Sequence, residues 1–520
     1  MQADPGRRTF LRTGALVGAG ALVARGSAVE AMIRPGTGGG PGTASAPSAA
    51  AWSALRRKLS THRLIQSGQR GYNSAKQLYD PRYDGLKPAG IAYCRTPADV
   101  AACLAFATRY RVPVRARSGG HSYGGWSSVT GGLIADVTEM DSFTVLRNGS
   151  VRVGTGTGLL DFYQHLARHG LAVPGGSCPT VGIAGLTLGG GVGVLSRIYG
   201  LSCDALESVQ IVTASGSVLT ANSGQHRDLY WACRGGGGGN FGVATSFTFR
   251  AHPLRRLVLF FLTWPWSQAA RVVDAWQSWA PFAPDALWSN LHLSAAPGGL
   301  PQIGVGGTYT GSVSGAARLL GRLYARAGSR PSGTFLRQET YLNAMLIEAN
   351  CSPGQSLPGC LAGPAGQRVP SYNKSDFFTR KLNAAGLRAL IGGIEKLRHV
   401  HGTPGGVGAV AFDACGGAIN RPRPGATAFV HRNALFLAQY STSWRSPGSA
   451  SGIAGQHAWL RSYYAAVHPH ASGQAYQNYP DPDLTNWRQA YYGANYPMLQ
   501  RVKAKYDPHD LFTFPQAITA

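Results

Sequence analysis

Between Gly90 and Ala221, short apolar runs alternate with amphipathic stretches at helical spacing. Thr96-Pro97-Ala98-Asp99 has the chemistry of a helix start: a capping hydroxyl, proline at the first helical position and an early acid. The pattern predicts a helix over Ala98–Tyr110, flanked by strands at Gly90–Cys94 and Val112–Ala116 as a β-α-β unit. Further strands are expected at Leu133–Val137 and Val151–Gly154, and a helix over Leu159–His169 closed by Gly170. Ala205–Thr213 and Ser217–Ala221 read as a hairpin. After His252-Pro253 the elements lengthen: helices over Gln268–Trp279, Ala316–Arg326, Phe377–Arg398 and Gly452–Val467 alternate with strands at Ile303–Thr310, Ala426–Val430 and Leu435–Ser441. A last helix runs over Trp487–Tyr506 and stops at Asp507-Pro508. No repeat is visible, and two α+β domains meeting near residue 250 are expected.

The N-terminal pattern differs. Arg7-Arg8 precedes an apolar stretch from Thr13 to Ala24, too short to span a bilayer, and small residues follow around Ser27-Ala28 and Ala31. Residues 1–31 therefore read as a twin-arginine signal peptide addressing the export machinery, and the mature protein as secreted. Residues 32–51, rich in Gly, Pro, Ala, Ser and Thr, read as a disordered linker, with order beginning near Trp52. At 520 residues the chain exceeds what one core holds, and 44% apolar composition excludes wholesale disorder. The 49 basic residues outnumber the 23 acidic ones, a net charge of +26, but they are scattered singly rather than clustered. That distribution argues for a solvated basic surface and against specific nucleic-acid binding. The eight cysteines have no zinc spacing, so no metal site is expected; Cys351 and Cys360 bracket a turn-rich loop that could bring them into disulfide reach.

Much of the glycine, 71 residues, falls in three dense stretches. The first is Arg117-Ser118-Gly119-Gly120-His121-Ser122, after an apolar strand. The second runs from Pro174 through Cys178-Pro179-Thr180-Val181-Gly182 to Gly193, and the third from Cys233-Arg234 through five glycines to Asn240-Phe241-Gly242. Runs of amides without side chains in front of them can wrap a pyrophosphate. Gly154-Thr155-Gly156-Thr157-Gly158 lacks the full dinucleotide spacing and reads as a turn.

These stretches, together with Asp228-Leu229-Tyr230-Trp231, Tyr476-Gln477-Asn478-Tyr479 and Tyr506-Asp507-Pro508-His509-Asp510-Leu511-Phe512, resemble the berberine-bridge-enzyme-like flavoprotein oxidases. The resemblance covers about 70 to 516. It implies an α+β fold of the vanillyl-alcohol-oxidase (PCMH) type: a two-part FAD-binding domain and a substrate domain with an antiparallel sheet covered by helices. The FAD-binding domain would span 52–250, the substrate domain 251–475, and residues 476–520 would return to the FAD side.

It further implies FAD held at Arg117, Ser118, Gly119, Gly120 and Ser122; at Gly176, Val181, Gly182, Gly185, Gly189 and Gly193; and at Gly242, Val243 and Asn478. The flavin would be bicovalently attached, through a ring nitrogen of His121 and the sulfur of Cys178. Read alone, His121 is a polar loop residue and Cys178 a small buried hydrophobe. Tyr476 would be the base that deprotonates a substrate hydroxyl, with Tyr479 in the same role or hydrogen bonding, or Tyr476 is an aromatic packing residue. An ordinary phenol, with a pKa near ~10, needs help to serve near neutrality.

Val181 is similar to the small gate residue that goes with oxygen access. Cys415 stands where many relatives carry a larger side chain. Trp264, Trp266, Trp276, Trp279 and Trp288 read as core packing or as a stacking surface for a ring. The expected activity is oxidation of a hydroxyl on a sugar, oligosaccharide or glycosylated secondary metabolite, with O2 as acceptor and H2O2 as product. A flavin dehydrogenase with another acceptor and a non-catalytic flavin-binding protein are the alternatives.

Overall fold

The computed structural model describes residues 46–403 and 405–520. The expected signal peptide and most of the expected linker lie outside the described residues. Order begins before Trp52: Ser48 accepts from the Ala51 amide and caps a helix over Ala49–Lys58, whose Trp52 and Leu55 are buried, so the linker ends earlier than expected.

Two small sheets come first. The β-α-β unit forms as read, its helix over Pro97–Tyr110 capped reciprocally by Thr96 and Asp99. Its strands, Gly90–Tyr93, Leu133–Asp136 and Val114–Arg117, run parallel, with Leu64–Gln66 antiparallel at the edge. A five-stranded antiparallel sheet follows in the order Phe143–Val145, Val151–Gly154, Val243–Phe249, Leu206–Val212, Val218–Asn222. Gly154 and Gly156 lie in a turn where an added methyl would meet the Met140 and Val137 carbonyls at 2.1 and 2.0 Å. They serve strand packing, as their spacing indicated.

Beyond residue 253 a seven-stranded antiparallel sheet takes over, in the order Gly333–Thr340, Arg256–Trp264, Gln302–Tyr309, Leu287–Ala295, Val407–Ala414, Phe436–Ser443, Ser371–Phe378. Helices Ala269–Gln277, Val313–Ala327, Ala384–Leu397 and Ala450–Val467 cover one face, where Phe260, Leu291, Phe412 and Ala438 join a common core. Trp264, Trp276 and Trp279 belong to that core, so packing accounts for them, whereas Trp288 reaches a cleft on the other side.

Three expectations are corrected. Phe377 closes a strand rather than opening a helix, since Ser371–Phe378 pairs fully with Phe436–Ser443 before Asn383 caps the helix at Ala384. Ala426–Val430 has no ladder partner and is a loop, with Phe429 folded over Gly190 and Gly235. The terminal helix is two, Trp487–Tyr492 and Tyr496–Tyr506, broken at Gly493 with φ of +48°.

The second terminal helix anchors the chain's end to the third glycine stretch. Lys503 Nζ, fully buried, donates to Asp507 Oδ2 at 2.6 Å, to the Asn240 carbonyl at 2.9 Å and to the Phe512 carbonyl at 2.7 Å. Asp507 also accepts from the Leu511 and Phe512 amides. Removing one partner leaves an uncompensated buried charge, so Lys503→Met is expected to destabilise the protein by ~3–5 kcal/mol, read from denaturant midpoints. A loss below ~1 kcal/mol would mean that the carboxylate is satisfied without the ammonium.

Candidate active site

A cavity of about 490 Å³ lies between the glycine-rich loops and the uncovered face of the seven-stranded sheet. Every expected site residue lines it except Gly189. Gly189 sits behind the wall, where an added methyl would meet Asn478 Oδ1 at 1.9 Å.

The first two loops pack backbone to backbone. A methyl on Gly119 would lie 2.3 Å from the Gly182 nitrogen, one on Gly182 2.1 Å from Ser118 Oγ, and one on Gly193 1.7 Å from the Gly175 carbonyl oxygen. At these positions glycine is demanded by the protein's own backbone, not by an incoming ligand. Gly185 differs: nothing of the protein lies within 4 Å of its missing side chain, so there the wall leaves room.

This contact brings His121 and Cys178 to the lining of the same cavity. His121 Nε2 lies 2.8 Å from Thr180 Oγ1, and the ring stacks on Tyr79 at 3.9 Å between centroids. Burial pushes its pKa down to about 3, against a smaller opposing effect of the Thr180 hydrogen bond, so the imidazole is neutral. Cys178 opens onto the cleft yet is enclosed by protein, and that desolvation raises its thiol pKa.

Arg117 has more structural work than expected. Its Nε pairs with Asp136 on the neighbouring strand and its Nη2 donates to the Ala75 carbonyl. Its Nη1 is buried without a partner. Arg115, not singled out from the sequence, also lines the cavity, and desolvation lowers its pKa to about 10.

Tyr476 lies against the second loop. Its hydroxyl oxygen accepts from the Gly191 amide at 2.8 Å, from the Val192 amide at 3.4 Å and from Asn478 Nδ2 at 2.9 Å. Asn478 gives its other amide hydrogen to the Leu186 carbonyl, which fixes its orientation. Burial raises the phenol pKa, and these donors pull it partly back. Tyr479 meets Tyr476 edge-on at 4.9 Å and stacks on Tyr123 at 5.6 Å, and burial raises its pKa strongly.

The sheet face opposite was not anticipated. Asn290, His292, Asp413, Gln439 and Ser441 project into the cavity from three adjacent strands, while Leu291, Leu293, Phe412, Ala438 and Tyr440 alternate into the core. The period-two alternation in Asn290-Leu291-His292-Leu293 was the available signal. Gln439 donates to Tyr123 Oη and Asn373 Oδ1, both at 3.0 Å.

Comparison with known proteins places this geometry. The family model described as "FAD binding domain" matches residues 88–222, and the one described as "Berberine and berberine like" matches 475–519. The chain is 33% identical over 472 residues to the FAD-linked oxidoreductase YgaK of Bacillus subtilis, covering 88% of this chain and 97% of the relative. It is 28% identical over 458 residues to the chitooligosaccharide oxidase of Gibberella zeae, covering 83% and 87%. The solved structure of Physcomitrella patens BBE-like 1 superposes with a TM-score of 0.81 at 29% identity, covering 89% of this chain and 98% of that one. The chain thus belongs to the berberine-bridge-enzyme-like family of FAD-linked oxidoreductases.

The residues present fit FAD. The unpartnered Arg117 Nη1 and the desolvated Arg115 put positive charge on the cavity wall, which suits an anionic diphosphate, and Gly185 leaves the wall open. Because the Gly119–Gly182 contact sets the loops, Gly182→Ala is expected to force them apart, costing ~1–3 kcal/mol as overpacking does. Flavin per protein, read from the visible absorbance of the purified chain, should fall with it. Full occupancy together with wild-type stability would show that the loops can give way.

Proposed function

We propose that the chain is an exported FAD-dependent oxidase that oxidises a hydroxyl on a sugar, an oligosaccharide or a glycosylated secondary metabolite. Oxygen is the acceptor and H2O2 the product. Residues 52–250 with 476–520 form the cofactor-binding part in this reading, and 251–475 the substrate part.

The observation that carries the reading is the Tyr476 hydroxyl, whose oxygen receives two backbone amides and the Asn478 amide. Donors aimed at a phenolic oxygen favour the phenolate, the form that takes a proton from an alcohol. Bound FAD supplies the two-electron acceptor for the hydride from the same carbon and passes the electrons to O2. The hydroxyl proton goes to Tyr476 Oη; Asn478, Gly191 and Val192 hold that oxygen in place; Tyr479 and Tyr123 wall off water beside it. Because burial still outweighs these donors, Tyr476 is protonated at rest and turnover should rise with pH into the alkaline range.

Val181, half-buried in the loop that carries Cys178, lines the cavity with a small side chain, which supports oxygen as the acceptor. The chitooligosaccharide oxidase relative supports a carbohydrate hydroxyl as substrate.

The decisive experiment mixes the holoenzyme anaerobically with a panel of sugars and glycosylated polyketides. A substrate should bleach the flavin, and air should restore the colour with one H2O2 per turnover. Reoxidation by a quinone but not by air would make it a dehydrogenase, and no bleaching with any hydroxyl compound would leave only binding. Tyr476→Phe should slow bleaching by on the order of 10² or more with flavin retained, while near-unchanged reduction would remove Tyr476 as the base.

Bicovalent attachment through His121 and Cys178 belongs to the same reading, supported by both residues lining the one cavity. Acid-precipitated wild type should keep its flavin in the pellet, His121→Ala and Cys178→Ala should each keep it through the other bond, and the double variant should release it. Complete release from the wild type would exclude a covalent link.

A further inference from the structure

The cavity is electrically lopsided. Its cations, Arg115 and Arg117, belong to the first small sheet, whereas two carboxyls, Glu348 and Asp413, line the substrate side. Neither carboxyl accepts a hydrogen bond among the described residues, and Glu348 Oε1 is buried with no partner.

Burial, and for Glu348 also the nearby Asp413, raises both: Glu348 to about 8 and Asp413 to about 7. His292, two residues from Asn290, which pairs with Asp413 across the sheet, does not neutralise them, because burial lowers its pKa to about 4. In a chain of net charge +26, two adjacent acids that no lysine or arginine approaches lack the donors a buried carboxylate requires.

The position of Glu348 is firmly set. It ends the helix Tyr341–Glu348, whose packing partners include Leu160 and the cluster around the Cys351–Cys360 disulfide. Ala349 and Asn350 continue the same cavity wall.

We propose that Glu348, with Asp413 beside it, is a specificity-determining site for a substrate carrying an ammonium group, such as an amino sugar or an amine-bearing glycoside. The inference rests on the oxidase reading for its substrate scaffold and adds the charge. A neutral hydroxyl could satisfy one oxygen but would leave the raised acids protonated, whereas a bound cation favours their ionised form. An ammonium offers both charge and three donors.

The test uses the holoenzyme and three probes of one scaffold: D-glucosamine, N-acetyl-D-glucosamine and D-glucose, each also as the β-1,4-linked oligomer. Binding is read by calorimetry and by perturbation of the flavin spectrum without oxygen, and kcat/KM by peroxide release. The wild type should favour the amine over the N-acetylated probe by at least about tenfold, as a desolvated charge contact gives, and Glu348→Gln should cut that preference by about tenfold. Equal or reversed preference in the wild type, or an undiminished preference in Glu348→Gln, overturns the proposal. Should Glu348→Gln fail to retain flavin, the wild-type preference alone decides. Selective amine binding without bleaching would sink the oxidase reading and leave the ammonium site standing.

Discussion

Everything at the site depends on two loops approaching closer than any side chain allows. Gly119 and Gly182 meet backbone to backbone, and Ser118 Oγ, pressed against Gly182, donates to the Thr155 carbonyl at 2.7 Å and so fastens both loops to the turn after Val151–Gly154. Thr180 is thereby brought to His121, and Cys178 faces the same cavity. Well-packed backbone of this kind has one arrangement, not a range, because any displacement opens a void or a clash. The His121 and Cys178 positions are consequences of this contact, and the chemistry they support is available only while it holds.

The same loop sets the balance at Tyr476. Gly191 and Val192 present their amides to the phenolic oxygen, and a methyl on Gly190 would lie 3.0 Å from the Phe429 ring and 3.2 Å from the Tyr476 ring. Two opposing effects act on one group. Exclusion of water disfavours the phenolate, and the donors favour it, with desolvation the larger. In the proposed reading the site stabilises, through these three donors, the phenolate that takes a proton from a substrate hydroxyl once Tyr476 has lost its own. It does so without first gathering water dipoles, which is the advantage of a preorganised site. The ring's edge-on neighbours, Phe377, Phe429 and Tyr479, keep water from relaxing that arrangement.

What the sequence made legible follows from which interactions are local. The helix after Thr96 was readable because its cap, its proline and its acid lie within four residues. The glycine stretches and Tyr476-Gln477-Asn478-Tyr479 were readable because the constraint on each loop is written in one run of residues. The terminal helix was misread because Gly493 looks like any tolerated helical glycine until its positive φ is seen. Phe377 was assigned to a helix because an apolar pair beside charged residues suits either period. Only pairing with Phe436–Ser443 decides it. The polar sheet face escaped notice for the same reason: Asn290 and His292 lie over 100 residues from Asp413 and Gln439 in sequence, and the four become one surface only through strand order. Arg117 was assigned to the cofactor alone, since nothing local announces that Asp136, on the adjacent parallel strand, claims its Nε.

Charge was the weakest guide when read as a sum and the sharpest when read by place. A net +26 says the surface repels cations at long range, and screening over roughly 8 Å at physiological ionic strength confines that effect to the surface. Inside the cavity the charges divide by element, with Arg115 and Arg117 on the strand Val114–Arg117, Glu348 at the end of the helix Tyr341–Glu348 and Asp413 on the strand Val407–Ala414. Low dielectric makes each of those groups count for more than a surface arginine does. One cavity is thus lined by basic residues from one part of the chain and acidic residues from another. The strand that carries the two arginines and the strand that carries Asp413 belong to different sheets, so the separation of charge is built by the same division of the chain that separates the glycine loops from the seven-stranded sheet.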